Sequence, residues 1–371
     1  MAVNYNKTPW PWFGGKADAA PLVWAALGDV AHYVEPFAGS LAVLLRRPHP
    51  CNRSYYSETV NDLDGLLVNA WRSIVYSPDA MAEAASWPVS EADLHARHLA
   101  LVRWKTENNL ERLMADPAWH DPVMAGWWAW GQSSWIGSGW CSGNGPWIVG
   151  EDGRIVKQKR AKKADDREPG AHRKLPHIND DGHGTNHAGA REPGVTDEPG
   201  VCTADTEFHA MTMPELLAWF RFLAARLRHV RILNGDWSRA CTNGATKTLP
   251  VRGGKGKFCG IFLDPPYADT AERTDSLYAQ DSLTVAHAVR EWCIKRGPDP
   301  DTRIVLAGFA GEHDELARDH GWREIEWYRG GFLRGGMGNT SKTGTHKQHK
   351  ERLWLSPHCL DPSASDDSDG A

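Results

Sequence analysis

Apolar residues arrive along this chain in short runs, and the runs alternate between strand-like and helix-like spacing. The stretch "HYVEPFAGSLAVLLRR" (32–47) predicts a strand, a turn at Gly39 and a helix, and "RSYYSETVNDLDGLLVNAWRSIV" (53–75) predicts a β-rich run, an Asn-Asp turn and an amphipathic helix. "PELLAWFRFLAARLRHVRILNGDW" (214–237) predicts a helix opening on Pro214 and a short strand ending near Asp236. The apolar run of "GIFLDPPY" (260–267) predicts a buried strand that stops at two prolines, where fixed φ and missing N–H groups end either kind of element. "SLTVAHAVREWCIKRG" (282–297) predicts a helix closed by glycine, "RIVLAGFAG" (303–311) a strand, and "HDELARDHG" (313–321) a short helix stopped at Gly321. "WREIEWYRGG" (322–331) and "ERLWLSP" (351–357) predict the last strands. Strands alternating with helices imply a doubly wound α/β architecture, a mostly parallel sheet covered on both faces.

The alternation lapses in the middle of the chain. A helical, tryptophan-rich stretch comes first, followed by about fifty polar residues rich in Gly and Pro and without period, the pattern of a long insertion. The expected division is a catalytic domain over 1–75 and 210–357 and an inserted region over 76–209 with a partly disordered loop near 150–207. The acidic "DPSASDDSDGA" predicts a disordered tail, taken as 358–371. Trp127, Trp128, Trp130, Trp135 and Trp140 are expected to form the core of a small inserted subdomain, because fully exposed tryptophan is unusual.

Composition narrows the function classes. The chain has 371 residues and a net charge of −5, which argues against a uniformly basic nucleic-acid binder but leaves room for local basic surfaces. Two such runs stand out, "RIVKQKRAKK" (154–163) and "YRGGFLRGGMGNTSKTGTHKQHK" (328–350), both suited to phosphate contacts. No stretch has the length and apolarity of a membrane span, and the first residues lack the apolar segment of a signal peptide. Seven scattered cysteines without a CxxC pair predict neither a disulfide framework nor a zinc site. His172, His177, His183 and His187 lie in a Gly/Pro-rich stretch without paired cysteines, so no metal is expected there. A cytoplasmic, reducing setting follows as the expectation.

Ligands of a doubly wound sheet sit beyond the carboxyl ends of its strands, and acids occur at three predicted strand ends: Glu35, Asp62 and Asp236. Asp62 follows the Gly39 turn at a spacing close to that of a ribose-binding acid, about 20 residues. Near the N-terminus, "PWFGGK" sets a Gly-Gly pair between an aromatic ring and a lysine, a combination that can wrap a small ligand and neutralise a carboxylate.

Taken in order, "PWFGGK", "VEPFAGS", "VNDLDGLLVNAW" and "DPPY" resemble the motif series of Dam-type N6-adenine DNA methyltransferases, and "ERLWLSP" resembles that family's closing strand. The order is that of the family's alpha group, and the insertion resembles those of phage and prophage members. The resemblance implies a seven-stranded S-adenosylmethionine-dependent methyltransferase sheet with an inserted target-recognition region. It implies that Trp12 and Lys16 contact the cofactor's methionine part, that Glu35, Phe37 and Gly39 form the cofactor turn, and that Asp62 binds the ribose. Asp236, with Trp237, would lie by the cofactor adenine. Asp264, Pro265, Pro266 and Tyr267 would be the catalytic motif. In one departure, the family commonly continues "PFAGSG" where this chain has Leu41. That residue is expected to start the following helix with its side chain turned inward.

The chemistry suits such a turn. The exocyclic nitrogen of adenine has a delocalised lone pair, and two acceptors aimed at its hydrogens localise it. The Asp264 carboxylate and the Pro265 carbonyl are the two candidates. Tyr267 can stack on a base flipped out of the duplex, while Tyr278 can either help close the pocket or serve plain packing. The expected activity is site-specific DNA adenine methylation with S-adenosyl-L-methionine as cofactor, by a monomer acting on double-stranded DNA in a bacterial host cell. A cognate restriction endonuclease is a candidate partner. RNA adenine or a protein glutamine amide is the nearest alternative substrate, and a non-catalytic DNA-binding module is an alternative of a different class.

Overall fold

In the computed structural model of the chain, the described residues are 8–12, 14–48, 56–116, 118–135, 140–141, 147–149, 155–157, 213–246, 258–266, 285–327 and 351–362. Their elements run α1 (Ala20–Leu27), β1 (His32–Glu35), β2 (Ser57–Asp62), α2 (Gly65–Tyr76), α3 (Pro78–Ala85), α4 (Glu91–Thr106), α5 (Asn109–Ala115) and α6 (Pro122–Ser134). Then come β3 (Trp147–Val149), β4 (Ile155–Lys157), α7 (Met213–Leu227), β5 (Val230–Asn234), α8 (Asn243–Thr246) and β6 (Cys259–Leu263). The last are α9 (Val285–Arg296), β7 (Thr302–Phe309), α10 (Asp314–Asp319), β8 (Arg323–Glu326) and β9 (Glu351–Leu355). No described helix is long and apolar enough to cross a membrane.

The chain forms two compact units, one of residues 1–14, 73–225 and 332–340 and the other of 15–72, 226–331 and 341–371. The second unit holds a seven-stranded sheet in the order β5-β2-β1-β6-β7-β9-β8. The first five strands are mutually parallel, and β9 is antiparallel to both β7 and β8. This is the mixed, mostly parallel α/β sheet of a methyltransferase fold. All residues of β1 and β6, and nearly all of β7, are buried, as a parallel sheet covered on two faces requires. In the middle of β6, a Cβ on Gly260 would meet Val30 at 2.8 Å, so the bare backbone there lets the chain after α1 press onto the sheet. From β1 the chain winds outward through β2 to β5, then returns to β6 on the other side of β1. The order therefore reverses between β1 and β6, and the crevice at their carboxyl ends is the expected ligand site.

Several sequence expectations need correction. The helix expected after Gly39 is a single 3-10 turn, Leu44–Arg46. Leu41 does not start a helix: its side chain is buried, but its φ is 58°, in the left-handed region that favours glycine. The tail taken as disordered from 358 is ordered through 362. Cys359 is buried with its thiol on the Ile304 carbonyl, Leu360 N–H donates to the Ala26 carbonyl, and Arg323 donates to the carbonyls of Cys359 and Leu360. Of the loop expected near 150–207, the described residues are 155–157, which form one strand of the antiparallel pair β3–β4, and the rest lies outside the described residues.

In the unit containing 73–225, helices α3 to α6 pack around aromatic side chains. Trp128, Trp130 and Trp135 are buried, and Trp127 and Trp140 partly so. Gly131 of α6 leaves the space that the Trp140 indole fills, since a Cβ there would lie 1.8 Å from that ring. Arg97 is buried against the rings of Trp87, Trp127 and Trp130, with the Trp130 centroid 4.3 Å away. Residues 1–14, and α7 as far as Ala225, fall in this unit rather than in the one that holds the seven-stranded sheet.

Candidate active site

Glu35 ends β1 and is 2% exposed. Its carboxylate accepts a hydrogen bond from the Tyr33 hydroxyl at 3.1 Å. Burial pushes its carboxyl up to about 8, against the opposing pull of that bond, so at neutral pH Glu35 is mostly protonated. The turn that follows is fixed by side chains from other elements. Asn61 Nδ2 donates to the Pro36 and Gly235 carbonyls, each at 3.0 Å, and Trp71 Nε1 donates to the Gly39 carbonyl at 3.1 Å. Gly39, with φ 47°, donates its N–H to Asp62 Oδ2 at 3.0 Å. The positive φ is why glycine stands there.

Asp62 closes β2, and its other oxygen accepts from the Asp64 N–H at 3.0 Å. Burial pushes its carboxyl up to about 6, partly countered by the N–H groups of Asp64 and Gly39. Asp236 accepts from the Ser238 N–H at 2.9 Å and from the Ser238 hydroxyl, which makes it the N-cap of the 3-10 turn Trp237–Arg239. Its neighbour Trp237 stacks on Phe37 with ring centroids 6.1 Å apart. An aromatic pair thus stands beside the turn at the ends of β1 and β5.

Asp264 follows β6 directly, and Lys16 Nζ lies 3.0 Å from its Oδ2. Burial raises the Asp264 carboxyl above the usual range. Lys16 opposes that rise, and Glu351 and Glu312 add to it. Lys16, which the resemblance gives to the cofactor, therefore faces the acid of the catalytic motif, and Glu351 Oε2 lies 4.0 Å from the same ammonium. Pro265 is buried and Pro266 partly so. Tyr267, Tyr278, His172, His177, His183, His187 and the run 328–350 lie outside the described residues, as does most of the run 154–163.

One compact unit thus brings together Lys16, Glu35, Phe37, Gly39, Asp62, Asp236 and Asp264. Trp12 is the exception. It belongs to the other unit, where its ring is 6.2 Å from that of Trp128. Sequence reading passed over Tyr33, Asn61, Trp71 and Glu351. Only Asn61, a buried amide at a strand end, carried a signal that could have marked it, because a buried amide must satisfy its donors.

Two comparisons bear on this arrangement. No curated protein matches the chain. Residues 12–109 match the family model of the D12 class N6 adenine-specific DNA methyltransferases. The matched stretch includes Trp12, Lys16, Glu35, Phe37, Gly39 and Asp62 and ends before Asp236 and Asp264. Over residues 12–109 the chain is therefore similar to the D12 class N6 adenine-specific DNA methyltransferases, and the order of its seven-stranded sheet agrees with that likeness.

Proposed function

We propose that this protein uses S-adenosylmethionine to methylate the N6 amine of an adenine flipped out of duplex DNA at a specific short sequence. The observation that carries this reading is the partly buried Asp264 at the carboxyl end of a central strand, followed at once by Pro265 and ion-paired to Lys16. The residues present fit the cofactor. Asp62 is a buried carboxylate held by N–H groups with no cation partner among the described residues, and ribose hydroxyls are donors suited to it. When bound, S-adenosylmethionine supplies a methyl group already activated on a sulfonium. Glu35 and Gly39 shape the turn against it, and Phe37 and Trp237 offer apolar ring surface.

The protein's own part is alignment and electrostatics. Ionised Asp264 accepts one hydrogen of the amine. The Pro265 carbonyl, fixed by the proline turn, accepts the other, and Tyr267 stacks on the base. Unpairing the base costs roughly a few kcal/mol, which contacts to the flipped base must offset.

The test incubates purified protein with cofactor carrying a labelled methyl and, in parallel, unmethylated duplex DNA, RNA and glutamine-containing peptides. Label is expected in DNA adenine alone; its appearance in RNA or peptide, or nowhere, would overturn the reading. Asp264→Ala is expected to lower transfer about 100-fold or more while leaving cofactor binding, followed by calorimetry, within a few-fold.

A further inference from the structure

Lys16 is one cation between two carboxylates. Its Nζ lies 3.0 Å from Asp264 Oδ2 and 4.0 Å from Glu351 Oε2, and the three side chains are 3%, 19% and 15% exposed. Where water is this scarce, charges are screened weakly, so moving one ammonium between two partners matters. We propose that Glu351 is a positioning residue for Asp264: it shares the Lys16 ammonium and so sets how much of that cation the Asp264 carboxylate receives. The proposal rests on the reading of Asp264 as the acceptor of the amine hydrogen.

The sheet explains why a residue so distant in sequence can do this. β9 runs antiparallel to β7, and Glu351, its first residue, pairs with Phe309, the last residue of β7. An antiparallel strand begins where its parallel neighbours end, so Glu351 stands at the ligand end of the sheet. β7 itself lies beside β6, which leads into Asp264. Lys16 comes from the segment before α1, and its carbonyl accepts the Ala20 N–H at 3.0 Å, which fixes its backbone.

Among the described residues, the charged groups facing Asp264 are Lys16, Glu351, Glu312 ahead of α10, and Glu35 at the end of β1. Lys16 favours the ionised form that can accept a hydrogen, while Glu351 and Glu312 disfavour it. Glu35 is mostly protonated below about 8 and adds little repulsion there. Glu351 also gives Lys16 a second resting place. The ammonium contacts Oδ2, which leaves Oδ1 of Asp264 for the amine.

The deciding measurement is the pH profile of the single-turnover methyl-transfer rate, with DNA and cofactor saturating. If ionised Asp264 is required, the acid-side midpoint reports its ionisation. Glu351→Gln removes a repelling charge and a competitor for the Lys16 ammonium, so the midpoint should move to lower pH by on the order of one unit. Glu351→Ser should do the same and serves if the glutamine variant does not fold. Glu351→Asp should keep the midpoint within a few tenths of a unit, and Lys16→Gln should move it to higher pH. A midpoint that stays in place in Glu351→Gln or Glu351→Ser, even with a uniform rate loss, or that moves upward, overturns the proposal. Asp264→Ala separates the two readings: wild-type rates there would remove Asp264 as the acceptor, whereas an inactive Asp264→Ala beside an unmoved midpoint removes only the role of Glu351.

Discussion

Leu41 occupies a backbone conformation that its residue type disfavours, with φ 58° and a fully buried side chain. The motif's usual glycine would adopt that φ freely, whereas a side chain there costs about 1 kcal/mol or more. The leucine offsets that cost by filling space within the core. At most sites, replacing a residue by glycine is worse than replacing it by alanine. Here both substitutions lose the buried side chain, but only alanine keeps the strain, so Leu41→Ala should destabilise more than Leu41→Gly, by about 1 kcal/mol. Denaturant unfolding of the two variants checks the order, and equal stability or the usual ranking would contradict it. The departure from "PFAGSG" was legible in the sequence. Its consequence was not, because nothing local says whether a leucine will keep the turn of a glycine or extend the next helix.

At the scale of elements, the parallel strands were legible because they are continuous apolar or β-branched runs ending at turn residues. The strand "SETVND" hid its main feature. Glu58 of β2 is 1% exposed and accepts from Arg47 at 3.0 Å and from Arg226, in the last turn of α7, at 2.6 and 2.8 Å. Arg47 also donates to the Val30 carbonyl at 2.6 Å. One carboxylate thus ties β2 to the end of α7 and to the segment ahead of β1. Glu58→Ala would leave buried guanidinium charge without its counter-ion, and a loss of about 3–5 kcal/mol of stability is expected from thermal or denaturant unfolding. A loss below about 1 kcal/mol would show that the cluster is dispensable. Hydrophobic periodicity cannot reveal such a cluster, because its members lie 11 and 168 residues apart. The same limit hid Glu351, which read only as the first letter of a closing strand.

For the whole molecule, the net charge of −5 must be reconciled with a polyanionic substrate. The basic run 154–163 is one of the two runs expected to make phosphate contacts. Replacing Lys157, Lys159, Arg160, Lys162 and Lys163 by glutamine should weaken binding to all duplexes alike. The slope of log affinity against log salt should fall by about one for each phosphate that the variant no longer neutralises. An unchanged slope would mean that the DNA backbone is held elsewhere on the protein. The sheet carries one more implication, for a chain still being made. β8 leaves the ribosome before β9, yet its place in the sheet is beyond β9, and β9 alone bridges it to β7. At usual elongation speeds the wait is on the order of a few seconds. During that wait the apolar edge of β7 has no partner strand, and an open edge of that kind is where nascent chains stick to one another. The strand that delivers Glu351 is thus also the last piece needed to close that edge, so a nascent chain becomes safe from aggregation and gains its complete set of site charges in the same step.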